Sequence, residues 1–378
     1  MQIFSNKAWL TCLAFATHLT LGAAQAVKPE DLATGLEHPW AVAFLPQGRF
    51  LVTERPGRMR VIEADGRKGA ALEGLPEVVN RGQGGLLDVM VDTDFVRNRT
   101  LFFCFSEPGV GGNSTALARA TLSDDHTRLQ NVQVIFSARP KVASNAHFGC
   151  RIAESQTLGK PDGLLFMTLG ERFVRKDDAQ RLDNHHGKII RIAKDGRVPP
   201  DNPFVKQAGA LPEIWSFGHR NPQGLTIAPD GTVWAHEHGP QGGDEINLIS
   251  PGRNYGWPVI TYGENYGGGP IGAGLTAKDG MTQPLHYWVP SIAPSGMVFL
   301  TSARYGQAWV GNLFVGSLKF SYLNRIELAA AFKGKVVREN KLLADVGERI
   351  RDVRQGPDGL LYVLTDNPRG RLIRLLPQ

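Results

Sequence analysis

Ala41-Val-Ala-Phe-Leu-Pro-Gln-Gly-Arg-Phe-Leu-Val-Thr-Glu54, Leu225-Thr-Ile-Ala-Pro-Asp-Gly-Thr-Val-Trp-Ala-His-Glu237 and Val353-Arg-Gln-Gly-Pro-Asp-Gly-Leu-Leu-Tyr-Val-Leu-Thr-Asp366 are three copies of one pattern. Each is an apolar strand, a turn built on Pro or Asp-Gly, and a second apolar strand. Asp-Gly between alternating apolar residues is the strongest short hairpin signal. Weaker copies begin near Leu86, Cys150 and Met297, and further strands follow at Arg58–Ile62, Lys188–Ile192 and Arg371–Leu375. Six copies, about 45 to 75 residues apart, predict an all-β, six-bladed β-propeller with four-stranded antiparallel blades. A pair of two-sheet sandwiches also uses short strands, but the six copies favour a closed ring, which removes the exposed sheet edges. The last copy is short of a strand, and Asp31–Leu36 is expected to close the ring. The 44 glycines and 24 prolines in 378 residues suit many turns and few helices.

Residues 1–26 read as a secretory signal peptide: Lys7, an apolar run from Ala8 to about Ala16, then Ala24-Gln25-Ala26 as a cleavage site. Residues 27–378 are then one propeller domain, periplasmic or secreted. Removing Lys7 takes the net charge from +6 to +5. No later stretch has the length and apolarity of a membrane span. The arginines near the C-terminus lie in alternating segments that suit a pocket for a small anion better than a nucleic-acid surface. Cys104 and Cys150 are either a disulfide or two buried thiols, and no Cys/His spacing suggests zinc.

Four clusters on different copies carry possible chemistry. His147, in Asn145-Ala-His147-Phe-Gly-Cys150, stands at the start of a strand and has the right ordinary pKa for a base near neutrality, although a structural role is the commoner fate of a lone histidine. Gly218-His-Arg220-Asn221-Pro-Gln-Gly224 places a guanidinium fork and an amide at one turn, suited to carboxylate or quinone oxygens, or simply to capping backbone groups. His236-Glu-His-Gly-Pro240-Gln-Gly-Gly-Asp-Glu245-Ile-Asn247 is rich in oxygen donors, which favours calcium over zinc, with a plain polar turn as the alternative. Arg349 and Arg351 lie two apart on a strand and share a face, and Lys319 belongs with them. Such a cationic face needs an anion if buried, and is unremarkable if solvated. The stretch from Gly239 to Gly274 reads as a long loop, ordered by Tyr255, Trp257, Tyr262 and Tyr266.

Together the clusters resemble the soluble quinoprotein glucose dehydrogenase and aldose sugar dehydrogenase family, which uses pyrroloquinoline quinone (PQQ). The match runs from about His38 to Leu375. It is carried by Gly82-Gln83-Gly-Gly-Leu-Leu87 with Asp94-Phe95, His147, Gly218–Gly224, Gly239-Pro240 with Asp244–Leu248, Ala293-Pro-Ser295, Ser317-Leu-Lys319 and Arg349-Ile-Arg-Asp-Val353. The resemblance implies oxidation of an aldose at the anomeric carbon, with PQQ at the top of the propeller axis. It implies that His147 is the base and that Arg220 stabilises charge on the quinone oxygen. Gln83, Arg220, Asn221, Lys319, Arg349 and Arg351 would bind the cofactor. Gly239 and Pro240 would offer backbone carbonyls to a calcium ion, and Glu245 and Tyr255 would belong to a second, structural calcium site. Ala146 stands where the glucose-specific members have Asp, and Leu169-Gly-Glu171-Arg172 departs from their Gln, so the chain looks closer to the broad aldose branch. The shorter insertions imply a monomer or weak dimer.

Two other functions are weighed beside this one. A calcium-dependent lactonase would want an acidic axial cage, whereas these axial candidates are Arg, Lys, His and Gln. A non-catalytic binding module would not need the histidine, the arginines and the calcium turn together.

Overall fold

The computed structural model describes residues 27–157 and 159–378, and the proposed signal peptide lies outside them. Six four-stranded antiparallel sheets account for the described strands. Their first strands are Pro39–Phe44, Leu86–Val91, Ile152–Thr157, Pro222–Ile227, Pro294–Phe299 and Ile350–Gln355. These innermost strands touch one another in sequence, and the sixth touches the first, so the ring is closed. Every one of the six sequence copies became a blade. The sixth sheet is completed by Val27–Leu36, which pairs with Gly370–Pro377. A chain terminus thus meets its own start, and one apolar cluster containing Val52, Leu323, Ile350 and Val363 spans blades five, six and one.

Blades one and four share a local device at their entry. Pro39 faces Glu54 and Pro222 faces Glu237 across the first hairpin of their blades. The Glu54 carboxylate accepts the backbone N–H of Glu37, and that of Glu237 accepts the backbone N–H of Arg220. A carboxylate at the end of the second strand therefore caps a donor just upstream of the first. Buried hydroxyls then tie blade to blade: Thr53 donates to the Leu87 carbonyl, Thr115 to Phe148, Thr168 to Pro222 and Ser295 to Ile350.

An ionic network crosses the axis. Arg151, fully buried, donates to Asp88 at 3.1 Å, to Asp352 at 3.0 Å and to the Gln223 carbonyl at 3.1 Å. Arg354 bonds the same two carboxylates at 2.7 and 3.0 Å. Asp352 also accepts the Val42 N–H, and Asp88 accepts the Ile152 N–H. Blades one, two, three, four and six meet in this cluster, and Gly296 of blade five passes so close that a Cβ there would lie 2.5 Å from Asp352 Oδ1.

Two expectations need correction. The stretch from Gly239 to Gly274 is not all loop: Asp244–Ile249 is the third strand of blade four, its periodicity masked by Asp244 and Asn247, which are buried polar residues. Nor do its aromatics all pack inward, for Tyr266 is 63% exposed. The cysteine question resolves as a disulfide between Cys104 and Cys150, whose Cα atoms are 5.8 Å apart. It joins the second strand of blade two to the segment that carries His147.

Candidate active site

The turns that precede each first strand and follow each second strand gather at one end of the axis. They enclose a cavity of about 850 Å³, within the size range of small-molecule sites. Gln83, Asn221, Pro240, Lys319, Arg349 and Arg351 all line it, so the ring brings together residues as much as 268 positions apart, from Gln83 to Arg351. The lining also includes Arg55 and Asp366, which sequence reasoning passed over. Both directly follow a quoted repeat's second strand or end it, and that shared position is the signal that would have found them.

The cations here have one carboxylate among them. Asp366 accepts from Arg351 at 2.7 Å and Arg349 at 3.4 Å, and pairs with His38 at 3.1 Å. Although burial pushes its pKa up, Arg351, His38 and Arg349 hold it far below the usual carboxylate range. The anion expected between the two arginines is thus partly supplied by the protein. Arg349 itself lies just before the strand and is half exposed, so the predicted shared buried face holds only for Arg351. Four cationic side chains (Arg55, Lys319, Arg349 and Arg351) against Asp366 leave the cavity strongly positive. The Arg55 pKa is lowered by burial and by its arginine neighbours, the mark of crowded positive charge.

Phe148 and Gly149 line the cavity, and His147 directly precedes them, buried beside the wall and not itself among the lining residues; Arg220 likewise lies outside the lining. The His147 backbone has φ of 51° and Cys150 one of 78°, conformations unusual for side-chain-bearing residues. Several bonds hold that segment. Gln83 Oε1 accepts the His147 N–H at 2.8 Å, and Asn221 Oδ1 accepts the Gly149 N–H at 3.1 Å. These contacts use the amide oxygens as acceptors; the amide nitrogens of Gln83 and Asn221 donate to no described residue, leaving donors at the cavity edge. His147 Nδ1 lies 3.0 Å from Glu171 Oε1, with both side chains almost entirely buried. This fixes Nδ1 as the protonated nitrogen and leaves Nε2 as the free base. Burial depresses the His147 pKa, Glu171 opposes that, and the charges of Arg220 and Arg172 reinforce it.

Arg220 is buried beneath Trp257 and beside Tyr266. It donates to the carbonyls of Gly239 at 2.8 Å and His238 at 3.2 Å, while its Nε is buried without a partner. Behind it, Glu237, Gly239, Glu245, Tyr255 and Thr261 surround a space of about 10 Å³. Burial and the charge of Glu237 push the Glu245 pKa well up. Among the described residues its carboxylate has one hydrogen bond, a 3.3 Å contact from Asn247, whose own Oδ1 is buried and unpartnered. Two carboxylates lining an ion-sized space, with the orphaned Asn247 oxygen on the residue that bonds both, fit a hard cation. The Tyr255 hydroxyl donates to the Leu248 carbonyl and accepts from Ser250 N, so only the backbone oxygen of Tyr255 remains for such an ion. His236 and His238 form no metal pair: His236 packs against Gly224 with both ring nitrogens unpartnered, and His238 Nε2 donates to the Pro294 carbonyl.

Fold and site define a six-bladed propeller with a cation-lined cavity at the mouth of its axis and a carboxylate-held histidine beside it. Residues 36–374 match the family model described as glucose/sorbosone dehydrogenase, and the chain belongs to that family of oxidoreductases. It is 44% identical over 375 residues to the aldose sugar dehydrogenase YliI of Escherichia coli K12, covering 98% of this chain and 97% of that protein. A crystal structure of a glucose dehydrogenase superposes with a TM-score of 0.87 at 47% identity, over 92% of this chain and 99% of that one. The PQQ-bound aldose sugar dehydrogenase of Streptomyces coelicolor superposes with a TM-score of 0.74 at 27% identity, over 94% of this chain and all of that one (100%).

Proposed function

We propose that this protein is a PQQ-dependent aldose sugar dehydrogenase that oxidises the anomeric carbon of an aldose to the lactone. The observation that carries this reading is His147, its Nδ1 held by Glu171 and its ring within the field of Arg220, on the segment whose next two residues line the cation-rich cavity. The similarity to a PQQ-bound aldose sugar dehydrogenase supports the choice of cofactor.

PQQ, when bound, supplies the acceptor for the hydride that leaves the anomeric carbon. The chain's own residues do the rest. Nε2 of His147 takes the proton of the anomeric hydroxyl, and Glu171 stabilises the imidazolium that results. Arg220, a buried guanidinium with an unpartnered Nε, would stabilise negative charge on the bound cofactor. Arg349, Arg351 and Lys319 hold the cofactor's carboxylates, and Gln83 and Asn221 offer amide donors while fixing the His147 segment. The carbonyls of Gly239 and Pro240 would be the donors for a calcium ion, which would polarise the cofactor as a Lewis acid; in the structure the Gly239 carbonyl accepts from Arg220. Glu245 and the backbone of Tyr255 serve a second calcium. We place the mature protein in the periplasm or outside the cell, as a monomer or weak dimer, after loss of residues 1–26.

His147→Gln tests the assignment. The variant should bind PQQ as the parent does but lose at least about 100-fold in turnover, the usual scale for a general base. Turnover close to the parent's would refute the role.

A further inference from the structure

Two aromatic side chains stand exposed over the base and the arginine. Phe173 is 50% exposed, and its ring meets that of His147 edge to face, with centroids 5.3 Å apart and planes at 81°. Tyr266 is 63% exposed, and its hydroxyl accepts from Arg220 at 3.3 Å. The two rings are 6.5 Å apart, inclined at 34°. They come from different blades, one on the turn after Lys160–Leu169 and the other on the long connection between Asp244–Ile249 and His286–Trp288.

Exposure alone would mean little, since single surface aromatics are common. The backbone beneath Phe173 says more. Arg172 and Phe173 are consecutive and both left-handed, with φ of 65° and 62°. Neither is glycine, so the turn is strained and persists only if held. Arg172 holds it. Its guanidinium, almost wholly buried, donates to the carbonyls of Ala146 at 3.1 Å, Asn113 at 2.9 Å and Ser144 at 2.6 Å, and to Asn113 Oδ1 at 2.7 Å. It also lies 3.9 Å from the centre of the Phe148 ring. Ser144 Oγ donates back to the Arg172 carbonyl at 2.6 Å. A buried cation with five contacts thus holds the turn that presents an apolar ring to solvent, directly beside His147.

We infer that Phe173 and Tyr266 form an aromatic clamp that receives the C–H-rich face of a pyranose ring and sets its anomeric hydroxyl against His147. A pyranose has a polar rim and apolar faces, and an aromatic plane binds such a face without satisfying any particular hydroxyl. The clamp therefore makes Phe173 and Tyr266 specificity determinants that favour cyclic aldoses over acyclic ones, with little discrimination by individual hydroxyls. This inference rests on the sugar-oxidising reading above.

The test uses the protein reconstituted with PQQ and calcium, with two readouts: steady-state oxidation of glucose, and calorimetric binding of 1,5-anhydroglucitol, a pyranose that lacks the anomeric hydroxyl. Phe173→Ala should raise KM about 10-fold and weaken the anhydroglucitol affinity by the same factor, with kcat held within about threefold, the scale of one lost aromatic contact. Phe173→Trp should restore both, and Tyr266→Phe should keep the anhydroglucitol affinity because the ring remains. A fall in kcat with unchanged anhydroglucitol affinity would mean that Phe173 serves only the imidazole, and would overturn the clamp. Unchanged KM and affinity in Phe173→Ala would overturn it too. If the parent binds anhydroglucitol and Phe173→Ala does not, while neither oxidises sugar, the clamp stands and the dehydrogenase reading fails.

Discussion

His147 Nδ1 and Glu171 Oε1 lie 3.0 Å apart, and both side chains are almost wholly buried. A carboxylate in that position fixes the tautomer, orients the ring and stabilises the protonated form. Replacing Glu171 by Gln keeps a hydrogen-bond acceptor but removes the charge. We expect kcat to fall about 10-fold or more, with PQQ affinity unchanged. Because Glu171 raises the His147 pKa against burial, the acid limb of the kcat–pH profile should move to lower pH in the variant. A profile that stays in place would show that Glu171 does not tune the base.

Burial lowers the pKa of His147, His185, His186 and His236. The unfolded chain binds protons on these rings near pH 6.5, and the folded protein resists them. Their contribution to stability is therefore whole above pH 6.5 and is lost as pH falls toward the depressed folded values, at up to about 1.4 kcal/mol per unit for each ring. Asp244 and Glu245, raised by burial, act in the opposite sense, so two carboxyls offset part of the loss from four imidazoles. Urea midpoints should be level from pH 7.5 to 7 and decline between pH 6.5 and 5. A flat midpoint down to pH 5 would contradict this.

Arg151 is the axial staple. Arg151→Met would leave Asp88 and Asp352 buried with Arg354 as their sole cation. Breaking a buried ion network from one side costs about 3–5 kcal/mol, and urea unfolding should read a loss of that order. A loss below about 1 kcal/mol would mean the two aspartates relax without it.

The blades were legible because their hairpins announce themselves. Asp-Gly at 230–231 and 358–359 lies between apolar runs, and the shortage of a strand in the last copy points to the N-terminal segment, found at Val27–Leu36. The axial network was not legible, because Asp88 and Asp352 lie 63 and 201 positions from Arg151, and only ring closure brings their carboxylates within 3.1 Å of its guanidinium. The site was partly legible. Arg349 and Arg351 advertise an anion, yet Asp366, their own counter-charge, is 15 residues downstream of Arg351 in another strand's turn. Glu171 was visible only as a departure from a pattern, and its contact with His147 depends on two left-handed turns that no spacing encodes. Asp244–Ile249 was hidden for a related reason: its polar residues face inward, where Asp244 accepts hydrogen bonds from Gly239, Ser291, Ile292 and Ala293.

The most direct measurement is reconstitution of the purified mature chain with PQQ and calcium, followed by dye reduction on a panel of aldoses. Activity that requires both additions, and that falls when Arg351 is replaced by Ala because cofactor affinity is lost, is the predicted result. Failure to bind PQQ or to reduce dye with any aldose would contradict the account, and tight PQQ binding without sugar oxidation would leave the cofactor pocket standing while removing the aldose as substrate.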